Sequence, residues 1–165
     1  IYRCASVGRQ DARAAECGVY TGNSLAAMAE LNQMVQLHGF DTFKGFDGRF
    51  EGTSAEEVYG KFRDCGFENI RLVQGDVALT LPREQERKYF FVHVDIDLPE
   101  PHQICLDYFY PRISVGGILF LDDYHSHPET RIVVDQFLED KPEKLFHLRY
   151  GIDRINSTKA FLVKE

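Results

Sequence analysis

Long apolar runs are missing from this chain: nothing approaches the roughly 18 uninterrupted apolar residues of a membrane-spanning helix. The start also lacks the charged-then-apolar pattern of a secretory signal. Positive charge is in deficit, with 19 Lys and Arg against 26 Asp and Glu and a formal net charge of −7. That balance argues against nucleic acid or an anionic membrane as the main partner and leaves small-molecule substrates open. Cysteine is sparse. Cys4, Cys17, Cys65 and Cys105 form no CxxC pair, so neither zinc nor a disulfide framework is indicated, and buried thiols in a reducing cytoplasm are expected. There is no internal repeat, low-complexity tract or linker, and 165 residues at 44% hydrophobic composition read as one domain spanning 1–165.

What is present is an alternation of short apolar runs with helix-like segments. Strands are expected at "ARAAECGVY" (12–20), "LHGFDTF" (37–43), "NIRLVQGD" (69–76), "KYFFVHVD" (88–95) and "GGILFLDDY" (116–124). Between them "NSLAAMAELNQMV" carries Leu25, Met28, Leu31 and Val35 at helical spacing, and Ser54 and Gly66 bracket a second helix. Pro99 or Pro101 opens another, which ends near Pro111, and Pro128 opens the last. "KLFHLRY" and "STKAFLVKE" close the chain as an antiparallel pair. The pattern predicts an α/β fold: a Rossmann-like, mostly parallel sheet with helices on both faces and an antiparallel C-terminal edge strand. Three glycines in "KGFDGRFEGT" (44–53) suggest a mobile loop.

Ligands in such sheets bind beyond the carboxyl ends of the strands. The first strand ends in "ECGVYTGNS", where Gly18 and Gly22 let backbone approach a ligand and Glu16 suits an ammonium group better than phosphates. A dinucleotide site would prefer G-x-G-x-x-G, and the third glycine is absent. Asp41 stands where an acid holds ribose hydroxyls, or else forms a turn; Asp76 either meets an adenine amino group or caps a short helix. Strands four and five end in Asp95 and Asp97, and in Asp122 and Asp123. Carboxylates gathered there repel and raise one another's pKa until a proton or a cation intervenes. Oxygen-only donors select Mg²⁺ or Ca²⁺, and Asp95, Asp122 and Asp123 are the expected ligands. Asp97 is expected to cap a helix or face water, and His93 to be a core residue. His125, His127 and Arg131 take no assigned role.

"ECGVYTGNSL", "GFDTFKGF", "QGDVALTLP", "VHVDIDLPEP" and "GGILFLDDYH" occur in the order and spacing of one enzyme group. The chain resembles the macrocin O-methyltransferase-like family, class I S-adenosylmethionine (SAM) methyltransferases acting on sugar hydroxyls. The resemblance covers about residues 14–139. It implies that Glu16, Gly18, Gly22, Asp41 and Asp76 bind SAM, that Asp95, Asp122 and Asp123 hold Mg²⁺, and that Asp95 doubles as general base. The acceptor would be a small hydroxylated molecule, with a catechol or phenol as the alternative; a nicotinamide-dependent oxidoreductase is the rival from another class. Ile96 and Pro99 depart from the family pattern beside the acids. The chain begins at Ile1, and lid helices that relatives carry before this point are expected to be missing or supplied by another subunit of a homo-oligomer.

Overall fold

The computed structural model describes residues 13–148 and 159–165. Its elements run β1 (Arg13–Cys17), α1 (Asn23–Leu31), β2 (Gln36–Asp41), α2 (Ala55–Asp64), β3 (Ile70–Gln74) and α3 (Val77–Thr80). After these come β4 (Tyr89–Val94), α4 (Pro99–Phe109), β5 (Ile113–Leu121), α5 (Pro128–Leu138), β6 (Phe146–His147) and β7 (Ala160–Val163). The strands form one sheet in the order β3-β2-β1-β4-β5-β7-β6. β1 to β5 are mutually parallel, and β7 runs antiparallel to β5, with only the two-residue β6 outside it. The expected α/β architecture is present. Cys4 and the polar turn before β7 lie outside the described residues.

Every residue of β4 is buried because helices cover both faces of the sheet. On one face Leu25 and Met28 of α1 and Val58 and Phe62 of α2 pack with Leu37, Phe91 and Phe120. On the other, Leu106 and Phe109 of α4 and Val134 of α5 pack with Cys17, Val92, Val94 and Leu121. Cys17 and Cys105 are buried free thiols, whereas Cys65 is exposed. No helix among the described residues is long and apolar enough to cross a membrane.

Two boundaries differ from expectation for local reasons. α1 stops at Leu31, since the Asn32 side-chain amide donates to the Met28 carbonyl at 3.0 Å and the backbone there leaves the helical region. β5 starts three residues early, at Ile113. Its register against β4 jumps between Tyr89↔Ile113 and Phe91↔Ile118, and Gly116, at φ +75, makes the bulge possible.

Ser54 caps α2 as the sequence suggests. Its hydroxyl accepts from the Glu57 N–H at 3.2 Å, while Glu57 Oε2 accepts from the Ser54 N–H at 2.8 Å. Both donors would otherwise lack intrahelical partners. Ser54→Ala is expected to destabilise the protein by about 1 kcal/mol, read as a lower urea midpoint at unchanged slope; an unchanged midpoint would show that solvent replaces the cap.

Candidate active site

The carboxyl ends of β1 to β5 border one cavity of about 610 Å³, within the usual range for small-molecule sites. Their backbones remain laddered past the strand ends. Gly18 N–H donates to the Phe40 carbonyl (2.9 Å), Asp95 N–H to that of Cys17 (2.8 Å) and Asp122 N–H to that of Val94 (3.0 Å). The acidic ends therefore stand on a fixed frame.

Gly18 has φ +88, and a Cβ built on it would lie 1.6 Å from the carbonyl oxygen of Asp95. Only glycine lets the first turn cross the end of β4 this closely. Asp41 holds the same turn: Oδ2 accepts from the Val19 and Tyr20 N–H groups at 2.7 Å each, and Oδ1 from that of Phe43 at 2.7 Å. A carboxylate has about four acceptor sites, so one remains for a ligand hydroxyl. Asp76 caps α3 through the Ala78 N–H (2.9 Å) and also lines the cavity.

Gly22 and Glu16 are not among the cavity-lining residues. Gly22 sits at the start of α1, where a Cβ would meet the Phe62 ring at 2.6 Å, so it serves helix packing. Glu16 is completely buried, and its Oε1 lies 2.8 Å from His93 Nδ1. In the fold, its hydrogen-bonding neighbour among the described residues is this histidine.

Asp95, Asp97, Asp122 and Asp123 all line the cavity, but they divide into two groups. His93, Asp95 and Asp122 bring ligand atoms within 4.8 Å of one another, as do Asp97, Asp123 and His127. The expected trio of Asp95, Asp122 and Asp123 is thus shared between two neighbouring clusters. Strand geometry accounts for the division: successive side chains point to opposite faces, so Asp122 turns toward His93 and Asp123 away from it. Asp97 joins the second cluster through an unusual backbone. At φ +63 its N–H donates to Asp123 Oδ2 (2.9 Å) and its own Oδ1 lies 3.0 Å from His127 Nε2. Asp97 and His127, to which the sequence reading assigns no ligand role, thus stand with Asp123 in the second cluster.

Crowding appears in the titration behaviour. Burial, the charge of Asp122 and smaller contributions from Asp123 and Glu16 push Asp95 up to about 7, although His93 opposes the shift. Burial also raises Asp123, to about 6, against the hydrogen bond from the Asp97 N–H, with the charges of Asp97 and Asp122 adding to the rise. Asp122 moves down despite burial, because His93 and Lys159 both bond its Oδ1. For His93 burial opposes protonation, but the hydrogen bonds to Asp122 and Glu16 lift it to about 10. A site with mainly carboxylate donors, two of them pushed toward holding protons, has the chemistry that a hard divalent cation satisfies.

The 44–53 segment folds into a turn closed by an antiparallel bridge between Phe46 and Arg49. Phe50 meets Tyr20 edge-on at 5.2 Å and Phe46 at 5.6 Å, and all three residues line the cavity. His125 lies 3.0 Å from His147, and Arg131 pairs with Asp135 at 3.4 Å, both away from the cavity lining.

This strand order, with its antiparallel seventh strand, defines a class I SAM-dependent methyltransferase fold. It superposes on the O-methyltransferase NovP with a TM-score of 0.79 (24% identity, covering 94% of this chain and 72% of that one). For the calicheamicin methyltransferase CalS11 the TM-score is 0.78 (23% identity, 98% and 74%). SMU.1697c of Streptococcus mutans, solved in complex with SAH, gives 0.74 (13% identity, 99% and 94%). The model of the macrocin-O-methyltransferase (TylF) family matches residues 10–161, and the chain belongs to that family. It is 34% identical over 86 residues to the demethyldecarbamoylnovobiocin O-methyltransferase of Streptomyces niveus. That stretch spans 51% of this chain and about a third of the relative's length, 33%.

Proposed function

We propose that the protein is a SAM-dependent O-methyltransferase acting on a hydroxyl of a sugar or glycosylated natural product, with Mg²⁺ or a similar hard cation orienting that hydroxyl. The observation that carries the reading is the contact between the glycine turn and the acids: Gly18 packs against the carbonyl of Asp95, and both face one cavity. A cofactor seated on that turn would have its reactive end beside the carboxylates. The relatives support the acceptor class, since CalS11 is described as a TDP-rhamnose 3'-O-methyltransferase. Family membership favours methyl transfer over the nicotinamide alternative.

Roles follow from the contacts. Backbone around Gly18, held by Asp41, forms the cofactor floor, and Asp76 lies where an adenine edge would reach. Asp95 and Asp122, whose ligand atoms come within 4.8 Å of one another, would hold the cation, with Asp123 beside them in the neighbouring cluster. SAM supplies an activated methyl group, and a divalent cation supplies Lewis acidity that lowers the pKa of an alcohol. Asp95, at the end of β4 and facing the cavity, would accept the hydroxyl proton. Tyr20, Phe46 and Phe50 present apolar surface that limits water in the cavity.

The test is methyl transfer from labelled SAM to vicinal-diol sugars and to catechols, with and without a chelator. Methylated sugar, lost with chelator and restored by Mg²⁺, is expected. Transfer to catechols alone would move the acceptor class, and chelator-insensitive transfer would remove the cation.

Cation binding should also depend on pH. Asp95 and Asp123 retain protons up to about 7 and about 6, and those protons must leave before the carboxylates can bind a cation. The Mg²⁺-induced rise in Tm is therefore expected to grow from about pH 5 to about pH 8. Comparing samples with and without the ion at each pH cancels the effect of His38 and His102, which burial lowers to about 4. A pH-independent rise would place the ion elsewhere.

A further inference from the structure

We propose that Glu16 and His93 form a buried strut that positions Asp122 for the cation, so that Glu16 serves the metal side of the site and makes no contact with the cofactor. The proposal rests on the metal reading above. Its foundation is sheet register. Glu16 on β1 lies beside His93 on β4, and His93 beside Phe120 on β5, with Asp122 two residues further along the same side of the strand. Residues spaced by two share a face, so the three polar groups make one row across the sheet. Its links are Glu16 Oε1 to His93 Nδ1 at 2.8 Å and His93 Nε2 to Asp122 Oδ1 at 3.3 Å.

Burial shows that the row has a cost. Glu16 is 0% exposed and His93 3%, and Glu16 Oε2 has no hydrogen-bond partner among the described residues. An unpaired buried carboxylate oxygen destabilises a fold, and an apolar pair would fill this space more favourably. The arrangement does secure orientation. His93 and Lys159 both engage Asp122 through Oδ1, and neither contact uses Oδ2. Among the described residues Asp122 is thereby held by one oxygen, which leaves the other for a cation. Carboxylates that orient a histidine behind a metal ligand are a recurrent device, and their loss weakens metal binding about 10- to 100-fold. His93 and Glu16 are positioning residues here.

The experiment measures Mn²⁺ affinity by electron paramagnetic resonance and SAH affinity by calorimetry in the intact protein. Glu16→Gln is expected to weaken Mn²⁺ binding about 10- to 100-fold while leaving SAH affinity within about threefold. His93→Gln tests the same strut should Glu16→Gln fail to fold; its amide still reaches toward Asp122 without needing Glu16. Adding Glu16→Gln to His93→Gln should then cause little further loss of Mn²⁺ affinity, since both changes remove one link. Weakened SAH binding with unchanged Mn²⁺ binding in Glu16→Gln would overturn the proposal and return Glu16 to the cofactor. Unchanged affinity for both ligands would overturn it too. Wild-type protein that binds SAH but no Mn²⁺ would remove the metal reading itself, a result distinct from either.

Discussion

Gly18→Ala is expected to be the most damaging single-methyl change in the molecule. The new carbon would be placed 1.6 Å from the Asp95 carbonyl oxygen and 2.6 Å from its carbon, and both obstacles are backbone. No rotamer change can relieve the overlap, so β1 and β4 must separate at their carboxyl ends. The left-handed φ of +88 adds about 1 kcal/mol of its own. A loss above about 4 kcal/mol is the expected outcome, in the range reserved for severe core defects. It would appear as a collapse of the urea midpoint or as insoluble protein, together with loss of SAH binding. Gly60→Ala is the control. Gly60 lies inside α2 with nothing within 4 Å of a built Cβ, and alanine there should stabilise by about 0.5–1 kcal/mol. Equal midpoints for the two variants would refute the close approach of turn and strand.

Asp95→Asn is expected to have the largest effect on activity. The amide keeps the shape of the side chain but can neither accept the hydroxyl proton nor offer an anionic oxygen to a cation. Turnover should fall about 10²- to 10⁴-fold, the usual contribution of a positioned base. SAH affinity should change by less than about threefold, since Gly18 and Asp41 remain in place. The fold should not suffer, because replacing a carboxylate crowded by Asp122 and Asp123 relieves repulsion, and the Tm of the metal-free protein should rise. Near-wild-type turnover in Asp95→Asn would move the proton acceptor elsewhere, and the Asp97–His127 pair at 3.0 Å would be the next group to examine.

Much of the architecture was legible because its signals are local. Ser54 and Glu57 announce the start of α2, Pro99 and Pro128 those of α4 and α5, and the unbroken apolar run of β4 its burial on both faces. The bulge in β5 was not legible, since two glycines in sequence do not say which adopts a positive φ. All four acids line the cavity, as their place at strand ends implies, but their division into two clusters is not visible in the sequence. Asp122 and Asp123 are adjacent in sequence, whereas the end of a strand sends neighbours to opposite sides. Nothing around Gly18 and Gly22 in the sequence points from Glu16 to His93, which stands 77 residues away.

The sequence alone therefore determined the alternation of strands and helices, the glycine turn and the concentration of carboxylates at strand ends. Those features depend on side-chain periodicity and backbone freedom within a few residues. Only the tertiary structure decided which acid faces which partner: Asp122 toward His93, Asp123 toward Asp97, and Glu16 inward. Such contacts follow from the register between strands far apart in the chain, and a shift of one residue would turn each of these side chains to the other face.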